Sequence, residues 1–402
     1  MLKSSRNRRQ SPLVISDEDG IELQTMRSNL SDIIDQLDSK RSSLRLSGLN
    51  NLTILLTNAY ALETINGYVA TLTLILQTLL KKGNTSQNIA AMRALTLLAL
   101  TIGTDNHNLY ESSLSPLTTL MKMPSTNAQS KGSAAKCLSM LAFINAEHYE
   151  TKELLEEFIK LLQSCTVSAP SAVISAVFEA ISLLLTTFAP DEASSYMNLL
   201  PHIRKHLQSD NLDVRLASGG CFILLYESWQ NSELNRLACI AERNSQEFTL
   251  EKPEANGEMQ EMLELIEKIY SASSRHTGSK SERLSQRTGF RDFIQFIESN
   301  KQPTEKMQIG NEKHVFEGFT TLAQLNAIRF YVQRGLSVHL SENHLLIDIF
   351  DLRVNPMESQ ESALEKRMKM KAQSKQKAKK DYLDYKLSRI NKQAAREVNF
   401  DK

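Results

Sequence analysis

The chain has 402 residues, 41% apolar and 6% aromatic, with a formal net charge of +1. That apolar content supports a large core and two or three domains, and the scarcity of aromatics, Gly and Pro disfavours an all-β architecture rich in tight turns. No apolar run approaches the roughly 18 residues of a membrane helix, and the opening MLKSSRNRRQS lacks the apolar core of a secretory signal.

Residues 1–16 are basic and Ser-containing and are predicted to be a disordered tail. From residue 17 to 272 the sequence repeats itself. Five segments resemble one another: SGLNNLTILLT, AAMRALTLLAL, GSAAKCLSMLAF, SAVFEAISLLLT and ASGGCFILLYE. Leu52, Leu95, Leu138 and Ile181 are separated by steps of 43, as are Leu55, Leu98, Leu141 and Leu184, and Leu56, Ala99, Ala142 and Leu185. The fifth segment comes early, with Cys221, Leu224 and Leu225 at the matching places. Within each segment the apolar residues fall at i, i+3 and i+4, one face of a helix. A helical period near 43 is the signature of HEAT or armadillo-type units. The fold class is therefore all-α: a HEAT/armadillo-like solenoid followed by a small helical module and a basic C-terminal helix. A weaker first helix precedes each repeat: LSDIIDQLDS, YVATLTLILQTLLKKG, LYESSLSPLTTLMKM, KELLEEFIKLLQSC and EASSYMNLLPHIRKHLQS. A sixth pair is expected from ELNRLACIAER and EMQEMLELIEKIYSA, joined by a long loop.

Four cysteines, Cys137, Cys165, Cys221 and Cys239, sit in apolar helical contexts with no C-x-x-C, and are expected to be buried, reduced thiols of an intracellular protein. No catalytic signature survives inspection. His202 and His206 lie four apart without a third ligand and read as two surface histidines near a helix end. His339 and His344 flank LSEN, a turn and helix cap. GSKS at 278–281 lacks the upstream glycine and the strand of a phosphate loop. No enzyme activity, metal, cofactor or small-molecule substrate is expected.

A module over 280–353 follows. KSERLSQRTGFRDFIQFIE is a helix with Ser281 as its expected cap and Phe290, Phe293, Ile294 and Ile297 on one side. KMQIGNEKHVFEGFT is a small hairpin or an ordered loop, and LAQLNAIRFYVQRGLSVHL and ENHLLIDIFDL read as two more helices. Here the chain resembles the interferon-related developmental regulators, through KSER at 280–283, QRTGFRDF at 286–293, QIGNE at 308–312, RGLSVHLSENHLLIDIFDL at 334–352, the basic tail, and the repeat region from SDIIDQLDSKRSSLRLSGLNNL onward.

After a linker at 354–360 containing Pro356, residues 361–402 form a basic arm. From Glu361 to Arg396 there are 12 Lys/Arg against 4 Asp/Glu, which leaves 35 basic and 42 acidic residues elsewhere. A mildly acidic body thus carries a strongly basic arm, which points to a polyanionic partner. On a helical period, Lys366, Arg367, Lys369, Lys371, Lys375, Lys377, Lys379 and Lys380 leave no gap above roughly 80°. Charge all round suits surroundings that are anionic on every side, as in an RNA-walled channel, and not a membrane surface, which needs one apolar face. A solvated, partly disordered polycation remains the alternative. Tyr382 and Tyr385 offer rings for stacking on unpaired bases, and Arg389 extends the basic set. Leu383, Leu387, Ile390 and Ala394 form a narrow apolar stripe that packs on the body or on a protein partner.

The resemblance implies two activities. In the first, the protein binds ribosomes and ribosomal RNA in a translationally inactive state, with the basic helix in the tRNA and mRNA path. In the second, it is a nuclear co-regulator bridging transcription factors and histone deacetylase complexes. The corresponding locations are the cytoplasm and the nucleus.

Overall fold

A computed structural model describes residues 30–164, 169–243, 257–272, 280–310 and 312–352. The solenoid begins with α1 (Leu30–Asp38) and α2 (Ser42–Asn58). A short α3 (Leu62–Ile65) leads through a 3-10 turn at Asn66–Tyr68 into α4 (Val69–Lys82), which pairs with α5 (Thr85–Ile102). The next units are α6 (His107–Lys122) with α7 (Ala128–Asn145), and α8 (His148–Ser164) with α9 (Ser171–Leu185). The fifth first-helix is broken into α10 (Pro190–Ala193), a 3-10 stretch Ser194–Leu199, and α11 (Leu200–Leu207). The backbone leaves helical angles at Tyr196 (φ −89°, ψ 28°), while Pro190 and Pro201 lie in the first turns of the two α-helical pieces, where a missing N–H is tolerated. Its partner α12 (Leu212–Arg243) runs for 32 residues.

The second helices α2, α5, α7, α9 and α12 pack side by side in that order. Of these, α5, α7 and α9 bury residues nearly all round because neighbours cover them on several sides, whereas α4, α6 and α8 bury one stripe each. The step of 43 is a packing register: Leu52, Leu95, Leu138 and Ile181 are fully buried, and so are Leu55, Leu98, Leu141 and Leu184. Helix starts keep the same register. Asn84 accepts from the Gln87 amide while the Gln87 side chain returns to the Asn84 amide, a complete capping box. Asn127, 43 residues on, caps α7 through the Ser130 amide at 2.7 Å. Pro170, a further 43 on, occupies the cap position of α9. Gln87 also donates to the Ser42 carbonyl at 3.1 Å, which ties the first repeat to the second.

Two expectations are corrected at the fifth repeat. ELNRLACIAER is not a separate helix but the continuation of α12, because nothing between Tyr226 and Arg243 breaks a helix: there is no Gly or Pro. This extension leaves Leu237, Ile240 and Cys239 exposed, so Cys239 is not the buried thiol the pattern suggested. Cys137 and Cys221 are buried, and burial pushes both thiols up to about 12. Cys165 lies outside the described residues.

Helix α13 (Gly257–Ala272) packs on α11, and α14 (Lys280–Ser299) on α12 and α13. Ser281 is inside the first turn of α14 and is not its cap. Phe290 is fully buried, and a Cβ on Gly219 of α12 would stand 3.0 Å from its ring, so the two helices approach closely only because that position is Gly. The hairpin alternative holds: β1 (Thr304–Ile309) and β2 (Glu312–Glu317) pair antiparallel in register from Thr304 opposite Glu317 to Ile309 opposite Glu312. Then come α15 (Phe319–Val332), a 3-10 turn at Gln333–Gly335, α16 (Leu336–Glu342) and α17 (His344–Ile349). LAQLNAIRFYVQRGLSVHL is thus two helices, separated at Gln333, which has a positive φ. Helix α15 lies across α2, α5, α9 and α12, so the C-terminal segment forms a third layer over the row of second helices. One apolar cluster runs from Leu30 to Leu346.

Candidate functional site

The candidate RNA-binding residues Lys366, Arg367, Lys369, Lys371, Lys375, Lys377, Lys379, Lys380, Tyr382, Tyr385 and Arg389 all lie outside the described residues, as do the 1–16 tail and the 354–360 linker. Within the described residues, two features stand out where the third layer meets the solenoid. Neither is visible from helical periodicity, because both join segments far apart in the chain.

The first is a set of polar clamps. Asn343 donates from Nδ2 to the Leu100 carbonyl at 2.8 Å, and Arg93 donates to the Tyr331 carbonyl at 3.2 Å. The Asn343 side chain also accepts from the Leu345 amide, so the LSEN segment does cap a helix, α17, as its sequence suggests. His339, expected beside that turn, is fully buried and contacts the backbone of α2. At the other end, Glu227 of α12 is buried against the start of α15 and accepts from Gln302 Nε2 at 3.0 Å. It also accepts from the Thr320 hydroxyl and from the Thr320 and Phe319 amides. Gly318 has no side chain with which to cap α15, so a residue of the solenoid supplies the cap. Burial raises the Glu227 carboxyl above its ordinary value despite these hydrogen bonds.

The second is a cleft of about 640 Å³ bounded by α7, α9 and α12 on one side and by α14 and α15 on the other. Met140, Leu183, Ile223, Phe293 and Leu322 line it. Lys136 spans one edge: its Nζ pairs with Glu179 at 2.5 Å and lies 4.6 Å from the centroid of the exposed Phe330 ring. Asp213 and Asp292 complete the rim.

The paired histidines do not converge on a metal. His206 is buried, not on the surface, with its ring edge-to-face on Phe178 at 5.4 Å. Burial, with Lys205 nearby, pushes its imidazole down to about 4, and His202 is lowered in the same way. The sequence hides this because α11 is short and follows a kink at Tyr196, so periodicity gives little guide to its buried face. Among the described residues no group of three or more His, Cys, Asp or Glu is placed to hold a metal ion, and no helix is long and apolar enough to cross a membrane.

A row of stacked helix pairs, roofed along its second helices by its own C-terminal segment, defines a helical-repeat protein. Residues 3–298 match the model of the interferon-related developmental regulator (IFRD) family, and the chain belongs to that family. It is 24% identical over 355 residues to interferon-related developmental regulator 1 of Mus musculus, which covers 84% of this chain and 74% of the relative. The Homo sapiens regulator 1 gives the same identity and coverage. Interferon-related developmental regulator 2 of Mus musculus is 23% identical over 349 residues, covering 82% of this chain and 74% of the relative.

Proposed function

We propose that this protein is a non-enzymatic ribosome-binding regulator whose basic C-terminal arm occupies the tRNA and mRNA path and holds ribosomes translationally inactive. The observation that carries this reading is the charge partition: 12 Lys/Arg against 4 Asp/Glu between Glu361 and Arg396, on a body that is otherwise net acidic. An acidic body is repelled by RNA, so the arm is the part suited to entering an RNA-walled space. Family membership and the regulator names of the relatives agree with a regulatory role and leave the partner open. A nuclear scaffold joining transcription factors to histone deacetylase complexes is the competing activity.

Sucrose-gradient sedimentation of the full chain separates the two. The ribosome reading expects co-migration with monosomes, lost when Lys369, Lys371, Lys375, Lys377, Lys379 and Lys380 are changed to Gln. A nuclear complex that is stable to salt and free of ribosomes overturns it. Ala378→Pro tests whether the arm acts as an inserted helix: it removes no charge, yet a proline in a helix interior costs about 3 kcal/mol. Affinity should fall by a hundredfold or more. No change in affinity leaves only an extended polycation.

A further inference from the structure

The cleft between α9, α12 and α15 has a defined chemistry. Leu216, Phe293 and Leu322 are only half-buried there, so apolar surface lines an opening on the protein's exterior. Lys136 and Glu179 neutralise each other on the rim. Asp213 makes no ion pair among the described residues, and Asp292 meets only Arg291, at 3.4 Å. The fitting occupant is a narrow apolar stripe flanked by cations.

One segment of this chain has that pattern. Leu383, Leu387, Ile390 and Ala394 stand at i, i+4, i+7 and i+11, within a sector of about 60° and over about 17 Å of helix. Lys379, Lys380 and Lys386 fall within about 40° of the stripe on its two sides, closer than Asp384 at about 60°. The bare stretch 366–380 has no such stripe. We propose that residues 379–394 dock as an amphipathic helix in this cleft, with the apolar stripe against Leu216, Phe293 and Leu322 and the flanking lysines facing Asp213 and Asp292.

The connection is long enough. The described chain ends at Leu352, beyond α17, which packs near the Gly103–Asp105 turn. The cleft lies back along α15, whose 14 residues cover about 21 Å. The roughly 30 residues from there to Leu383 reach about 45 Å even if wholly helical, and about 100 Å extended.

Docking has a consequence for the arm. Lys379 and Lys380 cannot face the acidic rim and a phosphate backbone together, so a polyanion and the cleft compete for the same segment. The competition rests on the function proposed above, whereas docking of the free chain does not.

The test uses the full chain with photoreactive p-benzoylphenylalanine in place of Leu387. Irradiation should cross-link it to peptides containing Leu183, Leu216 and Leu322. The yield should fall several-fold with Asp213→Asn and Asp292→Asn together, and again on adding poly(U). Cross-links scattered over the surface, or joining isotopically light to heavy chains in a mixture, overturn the docking. An unchanged yield with poly(U) overturns the competition. Full-length Leu387→Gln with Ile390→Gln keeps every lysine, so ribosome co-sedimentation should hold or rise several-fold. Absent cross-links with intact co-sedimentation sink the docking alone, and cleft cross-links without ribosome co-sedimentation sink the ribosome reading alone.

Discussion

The imidazole Nε2 of His339 lies 3.0 Å from the carbonyl oxygen of Leu56, across 283 residues of sequence. Leu56 is in the last turn of α2, where carbonyls have no partner within the helix, and His339 donates to one of them. The neighbouring Thr57 carbonyl limits the other side of the contact: a Cβ on Gly335 would come within 1.7 Å of its oxygen. Gly335→Ala therefore pushes the third layer off α2 without any backbone strain of its own, as φ here is −77°. A loss on the order of 3 kcal/mol is expected in urea unfolding. A midpoint equal to wild type would mean that the layer does not seat there.

Two buried histidines contribute to the response to acid. Burial lowers the imidazoles of His206 and His339, so both are neutral in the folded protein. As pH falls below about 6.5 the unfolded chain takes up protons that the folded chain refuses, and stability drops until the folded values are passed. For His206, held at about 4, the loss between pH 7 and 4 is on the order of 2 kcal/mol. His206→Phe, which keeps a ring against Phe178, should flatten that part of the melting-temperature profile. An unchanged profile would place the acid sensitivity elsewhere.

Glu227 has the opposite sign of dependence. Its carboxyl is raised by burial, so its contribution is fully present below the ordinary Glu value and is lost as pH rises through the raised one. Glu227→Gln keeps an acceptor for the α15 cap and removes the titration. It should match wild type at low pH and become the more stable of the two above it. Glu227→Ala, which strips the cap from the Phe319 and Thr320 amides, should lose about 1–2 kcal/mol at low pH, and the deficit should narrow as pH rises. Identical pH profiles for wild type and Glu227→Gln would show that the carboxylate does not feel its burial.

The repeat register is tested at its centre. Leu138 has no exposed surface and stands 43 residues from the equally buried Leu95. Leu138→Asp puts an unpaired charge among α5, α7 and α9 and should cost on the order of 3–5 kcal/mol. Melting at the wild-type temperature would contradict the stacking of the second helices.

Much of this fold is legible from periodicity alone. The residues 43 apart that read as one helix face are buried, and the asparagine caps at 84 and 127 keep the same step. What periodicity misses is what local sequence does not encode. Helix α12 continues through ELNRLACIAER because the absence of a breaker outweighs the expected repeat boundary. His206 reads as a surface residue because it is buried by a contact outside its own helix, with Phe178 of α9. The contacts of Glu227, Gly335, His339 and Asn343 join positions 75 to 283 residues apart, and no pattern within a window of 18 contains both partners. The cleft is invisible for the same reason.

The third layer also fixes an order of events during synthesis. A plain stack of repeats can complete each unit as it leaves the ribosome, because each touches only its neighbours. Here the exposed ends of α2 and α5 wait for His339 and Asn343, which are made 283 and 243 residues after the carbonyls they meet. Until then the nascent chain carries an uncovered apolar flank over most of its length, a condition that favours chaperone engagement and penalises premature termination far more than it would in an open array.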